Sequence, residues 1–237
     1  MHRIARVAIG GVAAIAGVAA TIVGTTLPAE ALSSTQIKHA QTVLNALGCN
    51  AGPADGRIGI MTQAATVRFQ SVMKIRQTGS LDAPTYWRLN VSWRKRCDVR
   101  AVPASGSGRR MVVSQSQNWL WLIDSAGHVV KQGGIIDNPS VYGPGTYYTG
   151  SKCGRPARVR NNSDGASLIL HNFVRYAPCG GGFHQIPTYK SNGRQIHPDY
   201  LLGTNYRQSH GCIRVSLPMS EAIWNFAASR TKLVIVR

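Results

Sequence analysis

The stretch "RRMVVSQSQNWLWLIDSAGHVVKQGG", residues 109–134, decides the fold of the larger part of this chain. It holds three short runs of β-branched and aromatic residues, and Ser125-Ala126-Gly127 supplies a turn between the last two. Such runs, when turn residues bound them, are typical of β-strands joined in hairpins. We therefore expect strands over "RMVVS", "NWLWLID" and "HVVKQGG".

The pattern continues towards the C-terminus. "ASLILHNFV" at 166–174 and the terminal "KLVIVR" at 232–237 are further strand candidates, and apolar residues at helical spacing predict one helix at 217–228. Residues 109–237 are therefore predicted to be mainly β, a compact sandwich or barrel-like sheet with one or two helices.

A small helical module precedes this region. Ser33 and Gln36 form a plausible capping box at the start of a helix that ends at Gly48. A second helix follows the loop "CNAGPADGRIG", and Asp82 is a plausible N-cap for a third. We place a three-helix domain at 32–98, a linker at 99–108 within "VRAVPASGSGRR", and a second domain at 109–237.

The N-terminus predicts export. Residues 1–31 carry two arginines, an apolar run from Val7 to Val23, and small residues at an A-x-A-like site, which is the layout of a secretory signal peptide. An uncleaved membrane anchor is the alternative, because the run approaches the length of a spanning helix. The glycines and alanines of the run favour cleavage, so we expect a secreted protein at the cell wall.

The charge of the chain indicates an anionic partner. The formal net charge is +18, and such an excess attracts polyanions. For an exported protein we expect anionic cell-wall polymers and membrane surfaces, and not nucleic acid. A solvated basic surface without a specific partner is the alternative.

The cysteine count indicates one thiol outside disulfides. The chain has five cysteines, at 49, 97, 153, 179 and 212, and secretion favours disulfides, so an odd count leaves one over. From their positions we expect Cys49–Cys97 and Cys153–Cys179 bridges, although sequence alone does not fix connectivity.

Cys212 lies in "RQSHGCIRVS", residues 207–216, beside a histidine. A thiol attacks as the thiolate, and a paired histidine lowers its pKa from about 8.5 to about 4–7. Gly211 would let the backbone turn tightly and aim N–H groups at an oxyanion. Arg214 would face the same side as Cys212 in an extended chain and could hold an anionic group.

Two other readings of Cys212 are a disulfide and a metal ligand. A disulfide between Cys212 and Cys153 or Cys179 would make a different cysteine the unpaired one. A zinc site needs three or four convergent Cys and His ligands, and no C-x-x-C pair accompanies Cys212. We therefore expect no metal and no cofactor.

Three histidines are candidates for the base. His210 is separated from Cys212 by one residue. His184, in "GGGFHQIP", follows a glycine run and precedes a proline, as a polar side chain at a strand end beside a cleft would. His197 lies in a polar loop. The residue pattern alone does not choose among them.

Two segments resemble known families. "VLNALGCNAGPADGRIGIMTQAATVRFQ" with "GSLDAPTYWRL" resembles the peptidoglycan-binding domain of wall enzymes. That resemblance implies carbohydrate or peptide binding by the helical module, without assigning a contact residue.

"SHGCIR", residues 209–214, resembles the Ser/Thr-x-Gly-Cys-x-Arg signature of the YkuD-type L,D-transpeptidase catalytic domain. The opening hairpin and the closing "TKLVIVR" fit the same family, which implies a β-sandwich with one or two helices. Carried over by position, the resemblance implies the following site: Cys212 as nucleophile, His184 as general base, the Gln185 carbonyl orienting the imidazole, His210 with the N–H groups of Gly211 and Cys212 around the oxyanion, and Ser209 and Arg214 completing the motif.

The chain departs from the family in the spacing of the site. His184 and Ser209 are 25 positions apart, which is longer than usual for the family. Residues 188–208 are therefore predicted to form an enlarged loop over the cleft, and His197, nearer to the motif, stays a substitute candidate for the base.

The resemblance implies an exported enzyme that cross-links peptidoglycan. Its thiolate attacks a tetrapeptide stem, releases D-alanine and transfers the acyl group to the amine of a second stem, so donor and acceptor stems are the expected partners and carbapenem-type compounds the expected inhibitors. The alternatives are an L,D-carboxypeptidase, another cysteine wall hydrolase, and a non-catalytic wall-binding protein.

Overall fold

The computed structural model of the protein describes residues 32–237, apart from the side chain of Cys179. The predicted signal peptide, residues 1–31, lies outside the described residues. Among the helices of the described part, none combines the length and the hydropathy that crossing a membrane requires.

The predicted three-helix module is confirmed as α1 (Ser34–Ala46), α2 (Ile60–Val72) and α3 (Ala83–Leu89). Ser33 caps α1, and both hydrogen bonds of the capping box with Gln36 are present. Asp82 caps α3 through its side chain. The first two helices bury apolar side chains against the third, and the core they share includes Leu44, Phe69 and Leu89.

A disulfide closes the module. Cys49 and Cys97 are bonded, as predicted, across 48 positions of sequence, and both cysteines are fully buried in the module core. The N–H of Cys97 also donates to the carbonyl of Leu47 at 2.8 Å. Cys153 is not a free thiol, and its predicted pairing partner Cys179 has a side chain outside the described part.

Removing the Cys49–Cys97 bridge is expected to lower the free energy of unfolding by about 4 kcal/mol, because a cross-link over a loop of this length restricts the unfolded chain. Thermal unfolding of the Cys49→Ala/Cys97→Ala variant, followed by circular dichroism, measures the effect. Cys212→Ala serves as the control for loss of a thiol. An unchanged melting temperature in the double variant would contradict the prediction.

The second domain contains ten strands and one long helix, which confirms the mainly β prediction. In chain order they are β1 (Arg110–Ser114), β2 (Trp119–Ile123), β3 (Val129–Gly134), β4 (Gly145–Tyr148), β5 (Arg158–Ser163), β6 (Leu168–Arg175), β7 (Gly182–Gln185), β8 (Thr188–Tyr189), β9 (Ile213–Val215), α4 (Leu217–Phe226) and β10 (Lys232–Val236).

The strands form two sheets that enclose the core. One sheet has the order β3-β2-β1-β10-β4, and the other has the order β5-β6-β7-β9 with β8 paired to β6. Side chains from both sheets and from α4 share one apolar cluster, which includes Leu122, Phe183 and Ile223. β1 pairs in parallel with β10, and both strands contribute residues such as Met111 and Leu233 to this cluster.

Two buried arginines join the module to the β domain. The Arg68 guanidinium donates to the carbonyls of Cys49 and Leu202 at 2.6 and 3.1 Å. The guanidinium of Arg100, in the predicted linker, donates to the backbone carbonyl of Gln117 at 2.9 Å. Burial lowers the pKa of Arg68 to about 10 and that of Arg100 to about 9. Residues 99–108 contain no helix or strand, and the boundaries at 32–98, 99–108 and 109–237 stay predictions.

Candidate active site

Strand pairing brings the predicted nucleophile and base to one side of a sheet. Cys212 directly precedes β9, which pairs in parallel with β7, so that His184 lies opposite Arg214. Paired residues share a face of the sheet, and so do residues two positions apart on one strand. His184, Arg214 and Cys212 therefore face one side, where all three line a cavity of about 610 Å³.

Cys212 is a free thiol, the one free cysteine among the described side chains. Its S–H donates to the carbonyl of Gly180 at 3.5 Å. Burial raises the pKa of Cys212, and the Gly182 N–H and the charges of Arg214 and Arg175 offset part of this rise. The expectation of a lowered thiol pKa is therefore wrong for the resting site, because desolvation of the sulfur outweighs the nearby cations.

His184 is buried and held in one orientation. Its Nδ1 lies 2.5 Å from the carbonyl oxygen of Gln185, and its ring stacks on Phe173 with centroids 6.2 Å apart. A carbonyl only accepts, so Nδ1 carries the proton and Nε2 carries the free lone pair. The contact between His184 and Gln185 that the family resemblance implies is thus present, while its part in catalysis stays a prediction.

The environment of His184 keeps the ring neutral. Burial lowers the pKa of His184 to about 4, the hydrogen bond to Gln185 opposes this, and the charge of Arg214 lowers the pKa further. Near neutral pH the cavity therefore holds a neutral imidazole and a neutral thiol. Such a pair reacts when the imidazole takes the thiol proton during attack.

These two shifts predict the pH dependence of the site. A base with a lowered pKa is active above that pKa, so the rate of Cys212 acylation should be half-maximal near pH 4 and fall about tenfold per unit below it. Alkylation of Cys212 by iodoacetamide should instead rise with pH, with a midpoint above about 8.5. Stopped-flow acylation and alkylation rates measure both, and circular dichroism confirms the fold at each pH. An alkylation midpoint near pH 5–6 would indicate a preformed thiolate–imidazolium pair and contradict this account.

Gly211 has a backbone that requires glycine. Its φ is +128°, and a Cβ there would lie 2.8 Å from Cγ1 of Val141. Its N–H donates to Oγ of the buried Ser209 at 3.0 Å, and its carbonyl accepts from the Tyr176 hydroxyl at 3.2 Å. Ser209 thus shapes the turn before the nucleophile. The Gly211 N–H is thus donated within the motif, and the oxyanion role of the N–H groups of Gly211 and Cys212 stays a prediction.

The remaining motif residues border the same cavity. His210 is exposed and lines the cavity, where its predicted oxyanion role stays a prediction. Arg214 exchanges two backbone hydrogen bonds with Ile136, at 2.8 and 3.0 Å. This bridge fixes the backbone of Arg214, so that its side chain presents a positive charge next to Cys212.

His197, the substitute candidate for the base, lies elsewhere. Its Nδ1 is 3.2 Å from the carbonyl of Pro198, and its ring lines a different cavity from that of Cys212. The arrangement therefore favours His184 as the base.

The enlarged loop predicted at 188–208 is a structured wall of the cleft. It contains β8 and a 3-10 turn at Asp199–Leu201, and Leu201 and Leu202 pack in their own small apolar cluster. Tyr189 and Ile196 from this segment line the cavity with Cys212. The loop therefore forms part of one wall of the cavity.

The residues that hold the motif from behind were not predicted from the sequence. Ser209 donates its N–H to the carbonyl of Asp137 at 3.1 Å, and Asn138 donates to the carbonyl of Ser209 at 2.9 Å. Gln115 donates to the Asp137 carboxylate at 3.0 Å and to the carbonyl of Tyr142 at 2.9 Å. Burial raises the pKa of Asp137. The turn-forming Asp-Asn-Pro after two isoleucines is the only signal these residues leave in the sequence.

The described residues contain no group of three or more His, Cys, Asp or Glu side chains that could hold a metal ion.

Two family models match the chain. The model of the L,D-transpeptidase catalytic domain, YkuD, matches residues 103–236, which is more than half of the chain. The model of a putative peptidoglycan-binding domain matches residues 33–89. Among curated proteins, no match is found.

Several solved structures match parts of this chain. An L,D-transpeptidase from Xylanimonas cellulosilytica is 19% identical, with 88% of this chain and 97% of that chain covered and a TM-score of 0.49. An L,D-transpeptidase from Stackebrandtia nassauensis is 18% identical over 86% and 92%, with a TM-score of 0.44. A Clostridium acetobutylicum protein described as a fused Zn-dependent amidase, peptidase and peptidoglycan-binding protein is 18% identical over 86% and 96%, with a TM-score of 0.40.

Proposed function

Since this chain belongs to the family of L,D-transpeptidase catalytic domains, we propose that it is an exported enzyme that cross-links peptidoglycan stems through an acyl-enzyme on Cys212. The observation that carries the proposal is the shared cavity of Cys212 and His184, in which Gln185 holds the imidazole with Nε2 free to accept a proton. The match of residues 33–89 to a peptidoglycan-binding family supports the same substrate.

The first half-reaction is acylation. Sγ of Cys212 attacks the carbonyl carbon of the third residue of a tetrapeptide stem while the thiol proton moves to Nε2 of His184. Collapse of the tetrahedral intermediate breaks the bond to the terminal D-alanine, whose amine leaves with that proton. The product is a thioester on Cys212, and His184 is neutral again.

The second half-reaction is transfer. The amine of a second stem attacks the thioester carbonyl, an amide bond forms, and the thiol leaves with the proton that the amine has lost, again through His184. Water in place of the amine would give an L,D-carboxypeptidase, so the acceptor decides between the two activities.

The motif supplies the groups that this chemistry needs. We expect the N–H of Cys212 and the His210 side chain to stabilise the developing oxyanion, and removal of one such donor typically costs about 10²–10³-fold in rate. Arg214 offers a positive charge to a carboxylate of the stem, since its side chain lines the cavity beside Cys212. The same thiol is the expected target of carbapenem-type acylation.

The net charge of +18 suits an enzyme that works on an anionic polymer. Export would bring the enzyme to that polymer, and it would also place the Cys49–Cys97 bridge in an oxidising compartment, where disulfides persist.

Incubation with purified tetrapeptide-rich muropeptides tests the proposal. The wild type should release D-alanine and form cross-linked dimers, which chromatography and mass analysis detect. Free D-alanine without dimers would assign an L,D-carboxypeptidase. If neither product formed, and the chain merely sedimented with wall sacculi, a non-catalytic wall-binding protein would replace the proposal.

A further inference from the structure

Two tryptophans of the helical module lie on its surface and contact each other. Trp87, in α3, is 58% exposed, and Trp93, shortly after the end of α3, is 56% exposed. Their ring centroids are 6.0 Å apart, and neither ring belongs to the module core. Indole rings are large and mostly apolar, so two that lie side by side in water mark a surface that meets a partner or a membrane.

Basic side chains adjoin the two rings. The guanidinium carbon of Arg88 lies 5.7 Å from the ring centroid of Trp87, and Arg94 and Lys95, both exposed, follow Trp93 directly. In the part of the chain that the structure describes, none of these three cations forms an ion pair. We call these five residues the tryptophan patch. It combines two apolar rings with three positive charges that no carboxylate offsets.

The charges of the module are concentrated near this patch. The module holds nine basic and three acidic residues, and four of the basic ones fall within 88–96. Of the carboxylates, Asp98 pairs with Arg96 at 2.6 Å. Asp55 and Asp82 accept backbone N–H groups in their own loop and at the start of α3. The patch therefore keeps its positive charge, which attracts an anionic surface.

The geometry of the rings favours a membrane over a glycan. A sugar stacks on an open aromatic face, but the two indoles meet at an angle of 64°, and the guanidinium of Arg88 lies over the ring of Trp87. The pair therefore offers no shared flat platform. Tryptophans beside basic side chains are instead the combination found at membrane–water interfaces, where indoles lie at the level of the headgroups and cations attract anionic lipids.

We propose that the tryptophan patch binds the surface of a membrane that contains anionic phospholipids. The two indoles enter the headgroup layer, and the three cations contact lipid phosphates. No residue of the patch lines the cavity of Cys212, so the patch is separate from the acyl-transfer site. The inference goes beyond the proposed function and does not rest on it, because it concerns a lipid partner and not the wall peptide.

The test uses residues 31–237, which form one compact unit, so that the apolar run of the predicted signal peptide does not itself bind lipid. Sedimentation with vesicles of phosphatidylglycerol and phosphatidylcholine in equal parts measures the affinity. The chain should bind these vesicles at least about tenfold more tightly than vesicles of phosphatidylcholine alone, because each basic side chain near an anionic surface contributes about fivefold. High salt should remove most of this difference.

Two double variants divide the patch into its apolar and its charged part. Trp87→Ser/Trp93→Ser should weaken binding to the mixed vesicles by at least about tenfold, since it removes the apolar area that enters the headgroup layer. Arg94→Gln/Lys95→Gln should weaken it by about twentyfold. Both variants replace exposed side chains, so their melting temperatures should stay within a few degrees of the wild type.

Two control variants make analogous changes on the β domain. Val129→Thr/Val130→Thr removes exposed apolar surface from the β2–β3 hairpin, and Lys131→Gln/Arg237→Gln removes two exposed charges. Each should weaken binding to the mixed vesicles less than about threefold, because these side chains lie outside the patch and distant charges are screened. The comparison separates the patch from the general positive charge of the chain.

Two results would overturn the inference: equal affinities for the mixed and the neutral vesicles, or patch variants that bind the mixed vesicles as tightly as the control variants do. Sedimentation with purified wall glycan tests the other occupant. If the tryptophan variant lost glycan binding and kept vesicle binding, the patch would be a sugar site instead. Thioester formation with a soluble tetrapeptide should be unchanged in all four variants, and its absence from the wild type would count against the proposed function and not against membrane binding.

Discussion

Cys212→Ala is expected to lower the rate of D-alanine release from tetrapeptide muropeptides by at least about 10⁴-fold, because loss of the nucleophile removes the covalent route entirely. Cys212 is the one free thiol among the described side chains. Release of D-alanine, followed by a coupled assay at substrate saturation, measures the loss.

Cys212→Ser is the matched comparison. The serine hydroxyl is similar in size to the thiol and can keep the contact with the Gly180 carbonyl, but it is a far weaker nucleophile at neutral pH. The rate of D-alanine release should therefore still fall by more than about 10³-fold. Both variants should unfold within a few degrees of the wild type. An alanine variant that still released D-alanine at more than a hundredth of the wild-type rate would assign the reaction to another residue.

His184→Gln is expected to lower the rate of acylation by about 10³-fold, which is the range for loss of a general base. Glutamine can keep a hydrogen bond to the Gln185 carbonyl, so the strand end should keep its conformation, but the amide cannot accept the thiol proton. The variant should also lose the fall in rate near pH 4, because that fall reports protonation of the His184 imidazole.

His128→Gln makes the same chemical change in an exposed hairpin and should leave the rate unchanged. Single-turnover acylation at several pH values distinguishes loss of the base from loss of binding. If His197→Gln abolished acylation while His184→Gln retained it, the base would be His197 and the assignment made here would be reversed.

Local sequence signals predicted most of the elements. The capping box at Ser33 and the cap at Asp82 lie where the residue types required them. The apolar runs at 110–114 and 119–123 became buried central strands. In each case the deciding interactions involve residues close in sequence, so a short pattern contains the whole signal.

Short or polar strands that depend on distant partners were not predicted. β5, "RVRNNS", is a polar strand that pairs only with β6 at the margin of its sheet, so it has no apolar alternation to reveal it. β9 has three residues and exists because β7 lies alongside it. Short strands of this kind follow from tertiary pairing and not from propensity.

The residues of the site fall into the same two groups, those that local sequence signals predicted and those that depend on distant partners. The motif at 209–214 and His184 could be named from the sequence, and strand register brings them to one cavity. Gln115, Asp137 and Asn138 could not, because they act by hydrogen bonds across the fold. The raised pKa of Cys212 could not be predicted either, since it depends on burial that only the packed structure creates.

The central claim is that the thiol of Cys212 carries the acyl group of a wall peptide. The most direct measurement is rapid acid quenching of the wild type with a tetrapeptide muropeptide, followed by proteolysis and mass spectrometry of the segment that contains "SHGCIR". We expect the mass of this peptide to rise by the mass of the muropeptide minus the mass of free D-alanine. Treatment with hydroxylamine should remove this added mass. An unmodified Cys212 in a sample that is actively releasing D-alanine would contradict the claim.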